Sequence, residues 1–239
     1  MNTIAFDKKN VKMVAHRGVS GLEMENTAAA FVAAGNRSYF GIETDVHVTS
    51  DKKFVIIHDD ETDYVSEKRM IVEESTLEAL RAIPLFDKEK GVFRADLCMP
   101  TLEEYIRICK RYEKIAVLEL KNRMQPAEIA EIVEQIKAQD YLEGVLFISF
   151  EWENLMDLRA LVPGQKAQFL TGRNDEELVK QLADAKIDLD VYHERLSKEY
   201  VDLLHANGIE INCWTVDDPE LAGKYADWGV DYITSNILE

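Results

Sequence analysis

Short apolar runs rich in β-branched residues alternate with amphipathic helical segments along almost the whole 239-residue chain. Several runs are nearly continuous apolar stretches, which is typical of parallel strands covered by helices on both faces. The eight predicted strands comprise residues 12–16, 41–48, 116–121, 145–149, 166–170, 187–191, 210–214 and 231–234. Eight strand–helix units in this length predict an α/β fold, a TIM (β/α)8 barrel, with residues 1–239 as one domain. A doubly wound open sheet is the alternative, disfavoured because no glycine-rich turn follows a predicted strand.

Helix signals fall between the predicted strands. Asn26 is predicted to cap the first helix, Thr101 begins another with Glu104 at capping-box spacing, and Pro126 suits a first helical position. The predicted helices comprise residues 27–34, 76–83, 101–112, 126–139, 151–161, 175–185, 197–206 and 219–228. Residues 54–58 form the second arm of a β-hairpin, and residues 59–100 are predicted to be an insertion after the second strand, on the upper face of the barrel.

Acidic and apolar residues alternate in the segment 41–48. Glu43, Asp45 and His47 share one face of this strand because successive side chains point to opposite faces. A hairpin turn centred on residues 50 and 51 places His58 roughly opposite Glu43. Crowded carboxylates need a positive partner, and a hard divalent cation with oxygen ligands meets that need. An exposed acidic hairpin without an ion is the alternative, and this segment alone favours neither.

The formal net charge of −17 argues against nucleic acid and anionic membrane surfaces as main partners, because both are polyanions. An anionic small-molecule substrate therefore needs a locally positive site. The N-terminal residues show no signal-peptide pattern, and no apolar run has the length of a membrane span. Three scattered cysteines, Cys98, Cys109 and Cys213, are typical of reduced thiols. We therefore expect a cytoplasmic protein, whose oligomeric state the sequence does not determine.

Polar side chains accumulate where the predicted strands end, and a TIM barrel builds its active site at the carboxyl ends of its strands. They are His16, Arg17 and Gly18 after the first strand, Glu43 and Asp45 in the second, Glu119 and Lys121 in the third, Trp214 and Thr215 at the seventh, and Thr234, Ser235 and Asn236 at the eighth. This agreement predicts a functional site at one rim of the barrel.

An ordered set of motifs runs through these positions. It comprises His16-Arg17-Gly18, Glu25-Asn26-Thr27 with Phe31, Ile42-Glu43-Thr44-Asp45-Val46 with Thr49 and Asp51, His58-Asp59, Pro100-Thr101-Leu102-Glu103, Leu118-Glu119-Leu120-Lys121, Ser149-Phe150 and Trp214-Thr215-Val216. With these motifs the chain resembles the glycerophosphodiester phosphodiesterase family over nearly its whole length. The resemblance implies a TIM-barrel enzyme that hydrolyses glycerophosphodiesters to sn-glycerol 3-phosphate and an alcohol with the help of one divalent cation.

The resemblance implies that Glu43, Asp45 and Glu119 are the metal ligands. Three carboxylates without a cysteine also favour a hard cation, Mg²⁺, Ca²⁺ or Mn²⁺, although structural ion pairs would explain the same residues. The resemblance likewise makes His16 and His58 the catalytic acid and base, without saying which is which. A lone histidine often has only a structural role, but two of them beside a carboxylate cluster suit proton transfer near neutral pH.

The resemblance gives Arg17 and Lys121 the role of binding the non-bridging oxygens of the phosphate, and neutralising the carboxylates is their alternative or additional role. Trp214 and Phe150 are predicted to form an apolar wall for the glycerol, with core packing as the alternative. Among the remaining candidates, Glu25 and Asn26 are predicted to orient the mouth, His47 to pack, His193 to line the rim and His205 to lie on the surface.

The chain departs from the family pattern at two places. Met24 stands where the family usually has proline, and residues 60–64 replace a leucine and an Arg-Thr-Thr run after His58-Asp59. The second departure removes a cation near the mouth and therefore bears on substrate preference. Two alternatives are a related lipid phosphodiesterase that acts on lysophospholipids or phosphoinositides, and a catalytically silent barrel that binds phosphate esters. The paired histidines argue against the silent barrel, because a binder does not need them.

Overall fold

The computed structural model describes residues 2–88 and 91–239, and within these residues eight parallel strands close into a barrel. The barrel strands are β1 (Lys12–Ala15), β2 (Gly41–Val48), β4 (Ile115–Leu120), β5 (Val145–Ser149), β6 (Ala167–Thr171), β7 (Asp188–Tyr192), β8 (Ile211–Trp214) and β9 (Tyr232–Ser235), and β3 (Phe54–Ile56) pairs antiparallel with β2. The ring closes because β1 pairs with both β2 and β9. The predicted TIM barrel is confirmed, and the ends of its eight predicted strands lie within one residue of the observed ends, whereas the predicted arm 54–58 is observed as the shorter β3.

The helices alternate with the strands around the outside of the barrel. They are α1 (Ala28–Gly35), α2 (Leu77–Arg81), α3 (Leu102–Arg111), α4 (Pro126–Lys137), α5 (Trp152–Leu161), α6 (Glu176–Ala185), α7 (Lys198–Ala206) and α8 (Pro219–Trp228). The capping box of Thr101 and Glu104 is present at the start of α3, as predicted. Among the described residues, none of these helices combines the length and the apolar character that crossing a bilayer requires.

The predicted cap of α1 is wrong. Thr27 is the N-cap residue, and its hydroxyl accepts a hydrogen bond from the backbone N–H of Ala30. Asn26 instead has a φ of 53°, and its buried amide contacts Thr44 and Asp45 of β2. Asparagine tolerates this left-handed conformation better than most residues, which frees its side chain for contacts away from the helix.

Apolar side chains fill two layers, one inside the barrel and one between the strands and the helices. The inner layer contains Val14, Val117, Leu146, Ile148, Leu170 and Tyr232. Alternation along each strand places the neighbouring residues in the outer layer, where Ile42 and Val46 of β2 pack with the helices. The same alternation turns Glu43 and Asp45 inward, as predicted.

The described residues of the segment 59–100 lie between β3 and α3, where an insertion is predicted. Their apolar side chains pack in a separate cluster that includes Val55, Leu80 and Phe86. The insertion contacts loops at the carboxyl-terminal rim, since Arg94 pairs with Glu23 at 2.6 Å. It therefore lies over the upper face of the barrel, where it borders the site described below.

The hairpin register differs from the predicted one by one residue. Val46 pairs with Ile56 and the backbone N–H of Ile57 donates to the carbonyl of Asp45, so position 58 follows opposite position 44 rather than Glu43. The turn contains one residue more than predicted because Lys52, with a φ of 57°, adds a left-handed residue before the second arm.

Candidate active site

Three buried carboxyl groups meet inside the barrel near its carboxyl-terminal rim. Glu43 and Asp45 lie on β2 and Glu119 lies on the adjacent strand β4, with Asp45 and Glu119 directly paired in register. Each residue offers one carboxylate oxygen, and these oxygens lie within 4.8 Å of one another. We call these three residues the carboxylate triad.

Two cations border the carboxylate triad. The Arg17 Nε lies 3.8 Å from the Asp45 Oδ2, and the Lys121 Nζ lies 3.0 Å from the Glu119 Oε1 and 3.7 Å from the Asp45 Oδ1. Arg17 also binds Glu25 at 2.8 Å. The four carboxyl groups therefore outnumber the two cations, so further positive charge would be stabilised here.

The pKa values of the carboxylate triad reflect this excess of negative charge. Burial raises the pKa of Glu43 well above its ordinary value and that of Glu119 to about 8, and the Asp45 carboxylate raises both further. Burial also opposes ionisation of Asp45, but Lys121 and Arg17 outweigh it and hold the pKa of Asp45 below its ordinary value. The Asp45 Oδ1 is buried and accepts no hydrogen bond from the described residues. An oxygen atom without a partner, among three converging carboxyl groups, fits a hard divalent cation.

The loop after β1 places His16 and Arg17 against the carboxylate triad. The backbone N–H of Arg17 donates to the Glu43 Oε2 at 2.7 Å, and Arg17 has a φ of 53°. Gly18 has a φ of 77°, and a Cβ atom there would lie 2.6 Å from the Cβ of Ala30. Only glycine fits at position 18 without displacing α1, so the geometry of the loop requires the glycine of the His-Arg-Gly sequence.

Asn26 joins this loop to β2. Its backbone N–H donates to the Arg17 carbonyl at 3.0 Å, its Nδ2 donates to the Asp45 Oδ2 at 2.8 Å, and its Oδ1 accepts from the Thr44 hydroxyl at 2.7 Å. The prediction that Asn26 orients the mouth therefore agrees with its contacts, whereas its predicted role as helix cap does not.

His16 is held by Asn236, which directly follows β9, the strand that pairs with β1. Its Nδ1 lies 2.7 Å from the Asn236 Oδ1, and the Asn236 Nδ2 donates to the Asp217 Oδ2 at 2.6 Å. Asp217 fixes the orientation of the Asn236 amide, because a carboxylate only accepts hydrogen bonds and must therefore face the Nδ2. The Asn236 Oδ1 then faces His16 and accepts a hydrogen bond from its Nδ1. Burial and the adjacent Arg17 lower the pKa of His16 to about 4, which keeps its Nε2 unprotonated at neutral pH.

His58 follows β3 and borders the same cleft. Its Nδ1 lies 2.5 Å from the Asp59 Oδ1, so an acidic group accepts the Nδ1 proton. Its backbone carbonyl lies 3.2 Å from the Nε2 of His47, whose Nδ1 lies 3.2 Å from Glu73. His47 is fully buried, as its predicted packing role requires, and it also fixes the backbone that carries His58.

These groups open into one cleft of about 390 Å³. The lining residues are His16, Arg17, Glu43, Asp45, His58, Glu119, Ile148, Phe150, Leu170, Asp190, Trp214 and Thr234. Phe150 and Trp214 pack edge to face with ring centroids 5.7 Å apart, and Phe150 is 47 % exposed. Core packing therefore does not explain Phe150. Lys121 borders the carboxylate triad from a neighbouring acidic groove formed by residues 58–61, Asp63 and Asn122.

Eight of the nine predicted site residues line the cleft, and the ninth, Lys121, contacts two members of the carboxylate triad. Two other histidines do not line the cleft: His193, predicted to line the rim, contacts the Tyr225 hydroxyl at 3.1 Å, and His205, predicted to lie on the surface, binds Asp231 at 2.9 Å. Two residues at the site were not predicted from the sequence: Asn236, which contacts His16, and Asp190, which lines the cleft. Asn236 was visible as a polar residue at the end of the last strand, whereas Asp190 lies within a mostly apolar strand and gave only the signal of an inward-facing charge.

Comparisons with known proteins agree with this geometry. The Glycerophosphoryl diester phosphodiesterase family matches residues 16–238 of the chain. YhdW of Bacillus subtilis is 31 % identical over 94 % of this chain and 93 % of its own length. The glycerophosphodiester phosphodiesterase of Caldanaerobacter subterraneus subsp. tengcongensis is 28 % identical over 95 % of this chain and 94 % of its own length.

A solved structure with a bound product has the same fold. The Oleispira antarctica phosphodiesterase in complex with sn-glycerol-3-phosphate superimposes with a TM-score of 0.87 and 26 % identity, covering 98 % of this chain and 96 % of that one. Fold and site thus define a TIM-barrel phosphoric diester hydrolase. The chain belongs to the glycerophosphoryl diester phosphodiesterase family.

Proposed function

We propose that this chain hydrolyses glycerophosphodiesters to sn-glycerol 3-phosphate and an alcohol at a cation held by the carboxylate triad. The observation that carries the proposal is the convergence of three buried carboxyl groups in one cleft that two histidines border. The product bound to the Oleispira antarctica relative is the phosphate ester that this reaction would release.

Glu43, Asp45 and Glu119 would hold Mg²⁺, Ca²⁺ or Mn²⁺. When bound, such a cation withdraws charge from the phosphoryl oxygens and helps to ionise the attacking hydroxyl group. Arg17 and Lys121 supply charge-assisted hydrogen bonds to the non-bridging oxygens, and the fork of the arginine suits two of them. Their positive charges also create the local field that an anionic diester needs in a chain with a net charge of −17.

The hydrogen bonds of the two histidines support an assignment of acid and base. His16 donates its Nδ1 proton to the neutral Asn236 amide and keeps the Nε2 lone pair, so it acts as the general base that accepts a proton from the attacking hydroxyl group. His58 donates its Nδ1 proton to the Asp59 carboxylate, which is the acceptor suited to a cationic ring. His58 therefore acts as the general acid that protonates the leaving alkoxide. Phe150 and Trp214 contribute an apolar wall for the carbon atoms of the glycerol.

The experiment that tests this proposal measures the release of ethanolamine or choline from glycerophosphoethanolamine and glycerophosphocholine. We expect turnover with Mg²⁺, Ca²⁺ or Mn²⁺ and none with EDTA. The variants H16A and H58A should each lose at least about 10²-fold in kcat, since general acid–base groups typically contribute that much. H205A is the matched control, because this histidine binds Asp231 outside the cleft. Near-wild-type turnover by both H16A and H58A would exclude the proposed mechanism.

The same assay tests the alternatives that the sequence left open. Hydrolysis of lysophospholipids or phosphoinositides with no turnover of water-soluble diesters would favour a related lipid phosphodiesterase. Binding of glycerol 3-phosphate without hydrolysis of any diester would favour a silent binding barrel.

A further inference from the structure

Asp190 lies on the wall of the cleft that faces the carboxylate triad. In the closed ring of strands, β7 and β2 are four strands apart in either direction, so Asp190 is diametrically opposite Glu43 and Asp45. Its side chain lines the cleft together with Leu170, Trp214 and Thr234. A ligand whose phosphate is held at the carboxylate triad would therefore reach Asp190 with its far end.

The carboxyl group of Asp190 lacks hydrogen-bond partners among the described residues. Asp190 is only 2 % exposed, and its Oδ1 is buried and unpaired. The amide of Asn212 on the neighbouring strand makes its hydrogen bonds elsewhere, since its Nδ2 donates to the Gln168 Oε1 at 3.4 Å and its Oδ1 accepts from Thr234. A buried polar group without a partner is costly and rare, so this one is explained if a ligand supplies the partner.

The surroundings of Asp190 specify the chemistry of that partner. Burial and the Glu119 carboxylate raise the pKa of Asp190 well above its ordinary value, and no lysine or arginine lines this wall. A ligand hydroxyl satisfies the group in either protonation state, because a hydroxyl can donate to a carboxylate and accept from a carboxylic acid. The apolar side chains of Leu170 and Trp214 beside it suit the carbon chain of a small polyol.

We propose that Asp190 binds the terminal hydroxyl of the glycerol moiety and so selects diesters whose glycerol is not acylated at that position. This inference rests on the proposed function, because the phosphate must occupy the triad side of the cleft. The 2-hydroxyl lies one bond closer to the phosphate and is left free for other roles. Asp190 is thus a specificity-determining residue on the glycerol side of the cleft.

The test compares two substrates that differ by one hydroxyl. They are glycerophosphoethanolamine and the phosphoethanolamine diester of propane-1,2-diol, which lacks the terminal hydroxyl but keeps the one beside the phosphate. With Mg²⁺ in excess, we expect the wild-type enzyme to prefer the glycerol diester in kcat/KM by about 10- to 100-fold. Loss of the terminal hydroxyl leaves the buried carboxyl group of Asp190 unpaired. In D190L this preference should fall to roughly threefold or less, and D190N, which keeps a hydrogen-bonding group, should retain part of it.

Two controls keep the test sharp. D188N changes the other carboxyl of β7, which accepts from the Glu210 backbone N–H at 2.8 Å and does not line the cleft, so the substrate preference should not change. If D190L does not fold, competition on the wild-type enzyme replaces it. Glycerol 3-phosphate should then inhibit at least about tenfold more strongly than the phosphate of propane-1,2-diol.

Each outcome is decisive. Equal turnover of the two diesters by the wild-type enzyme, a preference that survives in D190L, or equal inhibition by the two monoesters would overturn the assignment of Asp190. Absence of turnover of glycerophosphoethanolamine by the wild-type enzyme would instead overturn the proposed function.

Discussion

Replacing Glu119 with glutamine should stabilise the metal-free protein while removing its activity. The pKa of Glu119 rises from its ordinary value of 4.5 to about 8, because burial and the Asp45 carboxylate disfavour its charged form. The folded chain therefore holds this proton to a higher pH than the unfolded chain does. By linkage, wild-type stability falls as the pH rises from about 4.5 towards 8.

The size of the effect follows from the same shift. It costs the folded protein about 3 kcal/mol at pH 7 and roughly 1 kcal/mol at pH 5. E119Q removes this cost and also loses the contact with Lys121 at 3.0 Å, which offsets about 1 kcal/mol. We expect E119Q to exceed the wild type by about 2 kcal/mol in free energy of unfolding at pH 7, with little difference at pH 5.

Urea unfolding in EDTA at pH 5 and pH 7, followed by tryptophan fluorescence, measures these differences. E153Q is the matched control, because Glu153 is exposed on α5 and its substitution should change little at either pH. Adding Mg²⁺ should stabilise the wild type more than E119Q. Lower stability of E119Q than of the wild type at pH 7, or a difference that does not change with pH, would refute the reasoning.

Three further predictions concern the cation, the loop after β1 and the partner of His16. Binding of Mg²⁺ at pH 7 should release one proton or more, because the carboxyl groups of Glu43 and Glu119 have raised pKa values and must ionise to become ligands. Titration calorimetry in buffers of different ionisation enthalpy measures this release, and no buffer dependence would contradict it. G18A should lower the free energy of unfolding in urea by at least about 2 kcal/mol. G208A should lower it by about 1 kcal/mol, because Gly208 has a similar positive φ but a Cβ atom added there would have no neighbour within 4 Å. Equal losses would show that contact with α1 is not the cause. N236A should lower kcat about 10- to 100-fold with little change in KM, because it leaves His16 unoriented. S20A, which removes another donor to the same amide oxygen, is the control. An unchanged kcat of N236A would exclude the positioning role.

The strands and the shared face of Glu43 and Asp45 were predictable from local periodicity, whereas the grouping of these two residues with Glu119 came from the family resemblance. Alternation along β2 turns Glu43 and Asp45 inward whatever the rest of the chain does, and the pairing of β2 with β4 then brings Glu119 beside them. The strand ends were equally predictable, since nearly continuous apolar runs stop where polar residues begin.

What the sequence did not predict depends on single backbone conformations and on contacts between distant segments. The left-handed conformation of Lys52 lengthens the hairpin turn and shifts its register by one residue. Asn26 has the side chain of a helix cap, but its own φ of 53° turns that side chain to Asp45. The bond between His16 and Asn236 spans 220 residues, and no local pattern indicates it.

The two sides of the cleft differ in the chemistry of their side chains. Strands β1, β2 and β4 and the loops after them carry the carboxylate triad and its two cations on one side of the cleft. Strands β6 to β9 face it with apolar, aromatic and neutral polar groups such as Leu170, Trp214 and Thr234. A phosphodiester likewise has a charged centre and an uncharged polyol arm. The order of the strands in the closed barrel fixes which side chains line each side of the cleft. It therefore also fixes which end of such a molecule lies beside the histidines, so the orientation of the substrate follows from the topology.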